Sequence, residues 1–226
     1  MNPPRPSPLQ TEVLFHLGKI PIAQAVVTTS AIVLVLGMVS WASTRRLLAV
    51  PGRWQAALEA IVAWVAGQVR DVVRRDPMPF LPVLGTLFLF IAIANLSTIV
   101  PGVKAPTASI ETPAALAVVV FVAAHVYGIR ERGIRQYLGS YLKPNPLLLP
   151  LNILSEITRT FSLMVRLFGN MMSHELVLAI LATIAGLLVP IPFMALGILV
   201  GLIQAYIFSI LATLFIGAAV GAVEKG

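Results

Sequence analysis

From Leu147 to Val223 the chain is almost wholly apolar, interrupted only at Val189-Pro190-Ile191-Pro192. A run of that length has no place on the surface of a water-soluble domain. A helix crosses the hydrocarbon core of a bilayer, about 30 Å, with about 20 residues. At 1.5 Å per residue, Leu151–Leu188 would reach roughly 57 Å as one helix, and Pro192–Val223 roughly 48 Å. Two such helices joined by a Pro turn form a hairpin that must tilt steeply or stand far out of the bilayer. Leu176–Val223 holds no charged residue that would suit water, so a steep tilt is expected.

The remainder of the chain agrees with a membrane setting. Of 226 residues, 58% are hydrophobic and 11% charged, against about 25% charged in a soluble domain. The mean hydropathy is +0.92. These values exclude a soluble enzyme and a disordered chain. Cysteine is absent, which removes disulfide, thiol and Cys-ligated metal chemistry. Met1–Leu17 is Pro-rich and lacks a short apolar stretch before a small-residue cleavage site, so it reads as no cleavable signal.

Ile20–Ala42 is long enough to span. In Trp54–Arg75, apolar Leu58, Ile61, Val62, Val65, Val69 and Val72 recur at helical spacing among Glu59, Arg70, Asp71 and Arg74. That pattern predicts a helix lying at the interface. Asp76-Pro77-Met78-Pro79 breaks it. Phe80–Val100 is a second span, Pro101–Pro113 a loop, Ala114–Gly128 a short third span and Ile129–Pro146 a basic connector. The expectation is an all-α membrane protein with about five membrane-embedded helices and one amphipathic interfacial helix. It forms a single membrane domain over 1–226: an N-terminal segment 1–19, spans 20–42, 80–100 and 114–128, the interfacial helix 54–75, and a long tilted hairpin 149–188 and 192–223.

The formal charge of +7, from 16 Lys+Arg against 9 Asp+Glu, would suggest nucleic acid in a soluble protein. Here its placement is topological and speaks for no nucleic-acid partner. The connector after the first span holds Arg45, Arg46, Arg53, Arg70, Arg74 and Arg75, and the one after the third holds Arg130, Arg132, Arg135 and Lys143. The loop between spans two and three has Lys104, offset by Glu111. The positive-inside rule puts both basic connectors in the cytoplasm, the N-terminus outside and the C-terminus inside. This fits a multi-pass protein of a bacterial-type inner or plasma membrane. No internal repeat is visible, which weighs against an inverted-repeat transporter.

Within the first long segment sit Glu156, Arg159, Arg166, Asn170, His174 and Glu175. Glu156 and Arg159 lie near the cytoplasmic end, within reach of headgroups. Arg166 lies deep in an apolar run, where a charge costs several kcal/mol and marks function by default. Glu156 is ten residues away, roughly 15 Å along the axis, and is a poor direct partner. The partner of Arg166 is therefore expected on another chain. Asn170 shares its face one turn on. Glu175 follows nine residues after Arg166, about 180° around and about 13 Å toward the outer surface. His174 and Glu175 form a titratable pair there. A His-Glu-x-x-His zinc motif fails because position 178 is Leu. On the second long segment Gln204 is the most polar side chain, and folding back brings it near Arg166 and Asn170. Gly197 comes near Ser173 and His174. Asn95, Glu111 and Ser173 are further polar residues. No nucleophile elbow, metal-spaced His pair or paired intramembrane carboxylates support a membrane protease or transferase. No catalytic residue, metal or cofactor is expected.

The stretch Ser162-Leu163-Met164-Val165-Arg166-Leu167-Phe168-Gly169-Asn170 is similar to subunit a of the F-type ATP synthases. Leu149-Pro150-Leu151-Asn152-Ile153-Leu154 upstream, Asn95 before Pro101, Ala105-Pro106-Thr107 and Gln204-Ala205-Tyr206-Ile207-Phe208 carry the same resemblance, which covers much of the chain. It implies a stator subunit lying against a ring of c-subunits, each with a membrane carboxylate, and held by b-type peripheral stalk subunits. It implies Arg166 facing that carboxylate, two offset aqueous half-channels with Asn95, Glu111 and Ser173 as candidate lining, and H+ (or Na+) as the transported ion. Asn170 and Gln204 would soften and orient the contact, and Glu175 matches the family's acidic position in the outer half-channel. The resemblance also shows departures. His174 stands where many members have a small residue, and Gly197 where some have His. Glu111 stands where many have Asn, and Thr160 where many have Pro. An imidazole in this chain would thus come from the neighbouring helix, with Gly197 leaving room for it. The alternative is a structural or permease-like subunit of another ion-transport complex. With no nucleotide-binding motif, ATP chemistry would belong to other subunits.

Overall fold

The computed structural model describes residues 13–17, 20–45, 52–99, 104–141, 146–185 and 190–221. Seven α-helices dominate it: α1 (Gln24–Thr44), α2 (Arg53–Val73), α3 (Leu81–Leu96), α4 (Glu111–Arg132), α5 (Ile134–Tyr141), α6 (Leu149–Ala185) and α7 (Pro190–Val220). Five are long and apolar enough to cross a membrane: α1, α3 with its 3-10 extension to Ile99, α4, α6 and α7. This is the helical membrane architecture that the apolar runs predict. Two short antiparallel strands, β1 (Val13–Leu17) and β2 (Ile20–Ala23), precede α1.

α7 is the hub, packed against α2, α3, α4 and α6. The reason is its small residues. Gly197, Gly201, Ala205, Ser209 and Ala212 are all buried along it. Recurring near every fourth position, they let neighbouring backbones approach closely where no hydrophobic driving force separates helix from lipid. α6 adds one stripe to the core, Leu163, Leu167 and Met171 at i, i+4, i+8. Most of its remaining surface, from Leu151 and Leu154 to Ile180 and Ile184, is exposed apolar side chain. α1 is held mainly by α3 and the 3-10 turn Pro106–Ala108. The amphipathic α2 docks on α7 and α3 rather than lying free. Its Trp64 ring sits 5.4 Å from Phe88 and 5.6 Å from Tyr206, and the Tyr206 hydroxyl donates to Gln68 Oε1 at 2.9 Å. Arg70, Asp71 and Arg74 stay exposed.

Several boundaries differ from those read off the sequence. α1 begins at Gln24, because Ile20–Ala23 pairs with β1. Glu111 is the first residue of α4, not part of a loop. A carboxylate suits a helix N-terminus, and Pro113 is tolerated in the first turn. α4 runs on to Arg132, since charged residues end an apolar run without ending a helix. Gly133, at φ 75°, ends it. The basic connector contains α5. Pro190-Ile191-Pro192 is the first turn of α7 and not the hairpin turn, again because Pro costs little at a helix start. Met1–Glu12, Arg46, Pro101–Val103, Lys143, Val189 and Lys225 lie outside the described residues.

One buried amide joins three separate elements. Asn95, 1% exposed at the end of α3, donates through Nδ2 to the Gly201 carbonyl of α7 at 2.8 Å. Its Oδ1 accepts from Thr107 Oγ1 at 2.7 Å. A Cβ on Gly201 would come within 2.9 Å of the Asn95 Cβ, so the absent side chain sets the approach. Asn95→Ala leaves a buried hydroxyl and carbonyl unpaired, at a cost of about 1–3 kcal/mol. The detergent-solubilised protein should lose thermal stability in this variant and in Gly201→Ala. Unfolding midpoints equal to the parent's would refute the clamp.

Candidate functional site

The polar side chains of α6 fall into a group near its N-terminal end, a mid-helix pair and a group toward its C-terminal end. Arg166 lies near the middle of the helix. Its side chain is exposed on the surface of the chain rather than buried between the chain's own helices. Among the described residues it makes no hydrogen bond or ion pair. It borders an open cavity of about 490 Å3 that continues toward the N-terminal end of α6. Ser155, Thr158, Arg159 and Ser162 of α6 line that cavity, opposite Leu211 and Phe215 of α7. The Arg159 guanidinium sits 5.1 Å over the Phe215 ring, a cation–π contact that shields an otherwise costly charge.

One turn beyond Arg166, Asn170 Nδ2 donates to Gln204 Oε1 of α7 at 2.6 Å. The convergence of these two residues across the hairpin is therefore present, but Gln204 does not bond Arg166. Gln204 is 1% exposed, and its Nε2 has no partner among the described residues. A buried donor left unpaired costs about 1–3 kcal/mol, and such exceptions call for an explanation.

The third group follows on the next turns. The His174 imidazole fills the space beside Gly197, where a Cβ would overlap the ring. Glu175 Oε1 accepts the backbone N–H of Ala105 at 2.8 Å, so the loop before α4 is tied to α6. Ser173 is exposed. Glu111 is exposed at the start of α4. Asn95 has both ends of its amide engaged in the clamp. Thr107, notable in the sequence only as part of Ala105-Pro106-Thr107, completes that clamp. Passed over in the sequence reading were His125, Tyr137 and Tyr141, which gather around Glu156. The signal available was the pair of tyrosines at i, i+4 in an otherwise basic connector.

Fold and site together define a multi-pass helical membrane protein with ionisable and amide groups ordered along two long adjacent helices. Over residues 25–217 the chain matches the ATP synthase A chain family, and it belongs to that family, the subunit a chains of F-type ATP synthases. It is 60% identical over 220 residues to ATP synthase subunit a 2 of Bradyrhizobium sp., covering 97% of this chain and 99% of that one. It is 48% identical to ATP synthase subunit a 1 of Chlorobaculum parvum over 215 residues, covering 94% and 95%. It is also 48% identical to ATP synthase subunit a of Nitrosospira multiformis, covering 92% and 83%.

The fit of His174 against Gly197 gives a direct test. Gly197→Ala forces the ring out of its seat and should lower thermal stability. His174→Ala in the same chain should restore most of the loss. Additive effects of the two substitutions would show that the side chains do not compete for one space.

Proposed function

We propose that this chain is the fixed half of a rotary ion pathway, a single membrane domain that couples ion flow to the turning of a c-subunit ring and so to ATP synthesis or hydrolysis. The observation that carries the reading is the exposed, unpaired Arg166 at mid-helix on an apolar surface. Its family membership supplies the context. A guanidinium stays protonated at any working pH, so in lipid it needs an opposing charge from outside the chain. A ring carboxylate is that charge. Arg166 lowers the carboxylate's pKa by favouring its ionised form and releases the ion bound there without giving up a proton itself.

The contact must remain loose. In a dry interior two unit charges at contact attract strongly enough to hold the rotor. The cavity beside Arg166 admits water, which supports a screened contact. The Asn170–Gln204 pair offers neutral hydrogen-bonding groups one turn away, with Gln204 Nε2 held beside them as a buried donor not yet used among the described residues. The cavity lined by Ser155, Thr158, Arg159 and Ser162 is the candidate inner half-channel. Ser173, His174 and Glu175, with Glu111 at the entrance, form the candidate outer one. The two are offset along α6, with Arg166 between them. An ion entering one side is repelled by the fixed charge and must travel with the ring to reach the other. Each elementary charge that crosses 100 mV delivers about 2.3 kcal/mol.

In this reading the N-terminus is outside and the C-terminus cytoplasmic, as the basic connectors suggest. Stalk subunits of the b type hold the chain against the torque of the ring, and the ion is H+, or Na+ if the ring selects it. Arg166→Ala and Arg166→Gln should both abolish coupled ATP synthesis and ATP-driven pumping in membrane vesicles, with passive ion leak increased. Normal pumping in either variant discards the mechanism. His174→Ala should shift the pH profile of ion flux, and an unchanged profile removes the imidazole from the outer path.

A further inference from the structure

The N-terminal end of α6 meets α4 and α5 in a second polar cluster that the ion path above does not use. Tyr137 is 3% exposed and sits against Gly128 of α4, where a Cβ would overlap its ring. Its hydroxyl lies 3.0 Å from that of Tyr141. The Tyr141 hydroxyl donates to Glu156 Oε2 of α6, so Tyr137 is the donor between the two tyrosines. One turn before Glu156, Asn152 Nδ2 donates to the Tyr141 carbonyl at 2.9 Å. Two bonds thus tie the end of α5 to the first turns of α6.

From α4, His125 Nδ1 lies 2.8 Å from the Phe121 carbonyl. A carbonyl only accepts, so this nitrogen carries the hydrogen. Neutral His125 therefore turns a bare Nε2 toward Glu156 Oε1, 4.0 Å away, with two acceptors face to face. A proton taken up on Nε2 supplies the missing donor and draws α4 onto α6. Burial first, and then the contact with Glu156, pushes the Tyr141 hydroxyl far above the usual phenol range. Burial also raises Tyr137. Both therefore remain protonated donors at working pH. Arg132 at the end of α4 acts on Tyr137 from the same side. α7 and the 3-10 turn Pro106–Ala108 carry no charged residue; α5 carries Arg135 and α6 carries Arg159 three residues after Glu156, and Arg75 meets Glu131 at the end of α4 at 3.5 Å.

Glu156 stands ten residues before Arg166, roughly 80° around the helix and about 15 Å along it. The cluster grips α6 on a side that leaves the Arg166 face open, and a shift in that grip is carried along a stiff helix to the guanidinium. We propose that Tyr141, Glu156 and His125 are positioning residues, a proton-dependent brace that sets the rotation and height of α6 and hence the placement of Arg166. This rests on the reading of Arg166 as the ring contact. The brace is complete with a proton on His125 Nε2 and open without it.

The intact complex in vesicles tests this, as ions pumped per ATP hydrolysed between about pH 5 and 8, with recovery of assembled complex measured for each variant. The parent's ratio should fall as pH rises. His125→Gln, whose amide donates at every pH, should flatten that fall. Glu156→Gln still accepts from Tyr141 but presents no carboxylate to a charged His125, and should show the parent's high-pH ratio throughout. Tyr141→Phe should lower the ratio about fivefold at every pH, the factor that one net hydrogen bond represents. If Tyr141→Phe fails to assemble, the two pH profiles decide. Profiles of His125→Gln and Glu156→Gln equal to the parent's overturn the brace. Arg166→Ala runs beside them. Pumping that survives it rejects the ring contact itself, whereas its loss alongside unchanged brace variants rejects the brace alone.

Discussion

A guanidinium in the middle of a membrane-length helix is the constraint to which the other features answer. It cannot shed its proton, and no group among the described residues offers it a counter-charge. A chain that carries such a residue is stable in lipid only in company, with the charge met by another protein or by water. This is why the apolar exterior of α6 and the polar strip beside Arg166 belong together. The exposed Leu, Ile and Phe side chains give an apolar surface, and the contact proposed for Arg166 lies beside the cavity toward the N-terminal end. In the proposed mechanism neither would serve alone, since a fully dry interface would bind too tightly and a fully wet one would leak.

The remaining helices hold that strip in place. α7 can lie close to α6, α3, α4 and α2 because its packing face is built from glycine, alanine and serine. Close backbones then bring short polar side chains within reach of one another, and Asn170 meets Gln204 across the hairpin. The same closeness lets an imidazole from one helix occupy a space left by glycine on the next. At the opposite ends of α6, the loop before α4 bonds to Glu175 and α5 bonds to Glu156. Both carboxylates of the helix are thereby fixed to neighbouring segments and Arg159 rests on Phe215, while Arg166 is left open.

Much of this was legible in the residues and some was not, for physical reasons. The five crossing helices follow from lipid's intolerance of unpaired backbone, which makes apolar length a strong signal. The Asn170–Gln204 meeting follows from an antiparallel fold-back whose register is fixed by helix rise. Helix ends were misplaced at α4 and α7, since a charge or a proline marks the end of an apolar run or a turn and is also compatible with a helix end. The strand pair before α1 has no signal separable from the start of an apolar span. The exposure of Arg166 on the chain's own surface agrees with the expectation of a partner on another chain, which rested on the lack of a carboxylate nearby in the sequence. The partners of Asn95 lie 12 and 106 residues away, and no local pattern announces bonds at such separations.

That last separation has a consequence for how the protein is made. α3 is synthesised long before Gly201 exists, so the Asn95 amide enters the bilayer with its α7 acceptor still unmade. Until the final helix arrives, the nascent chain carries a polar group in hydrocarbon that must be sheltered by the insertion machinery or by transient water. Completion of the C-terminus is then the event that settles the second span. A chain truncated before α7 is therefore marked as incomplete by an unmet hydrogen bond far from the point of truncation.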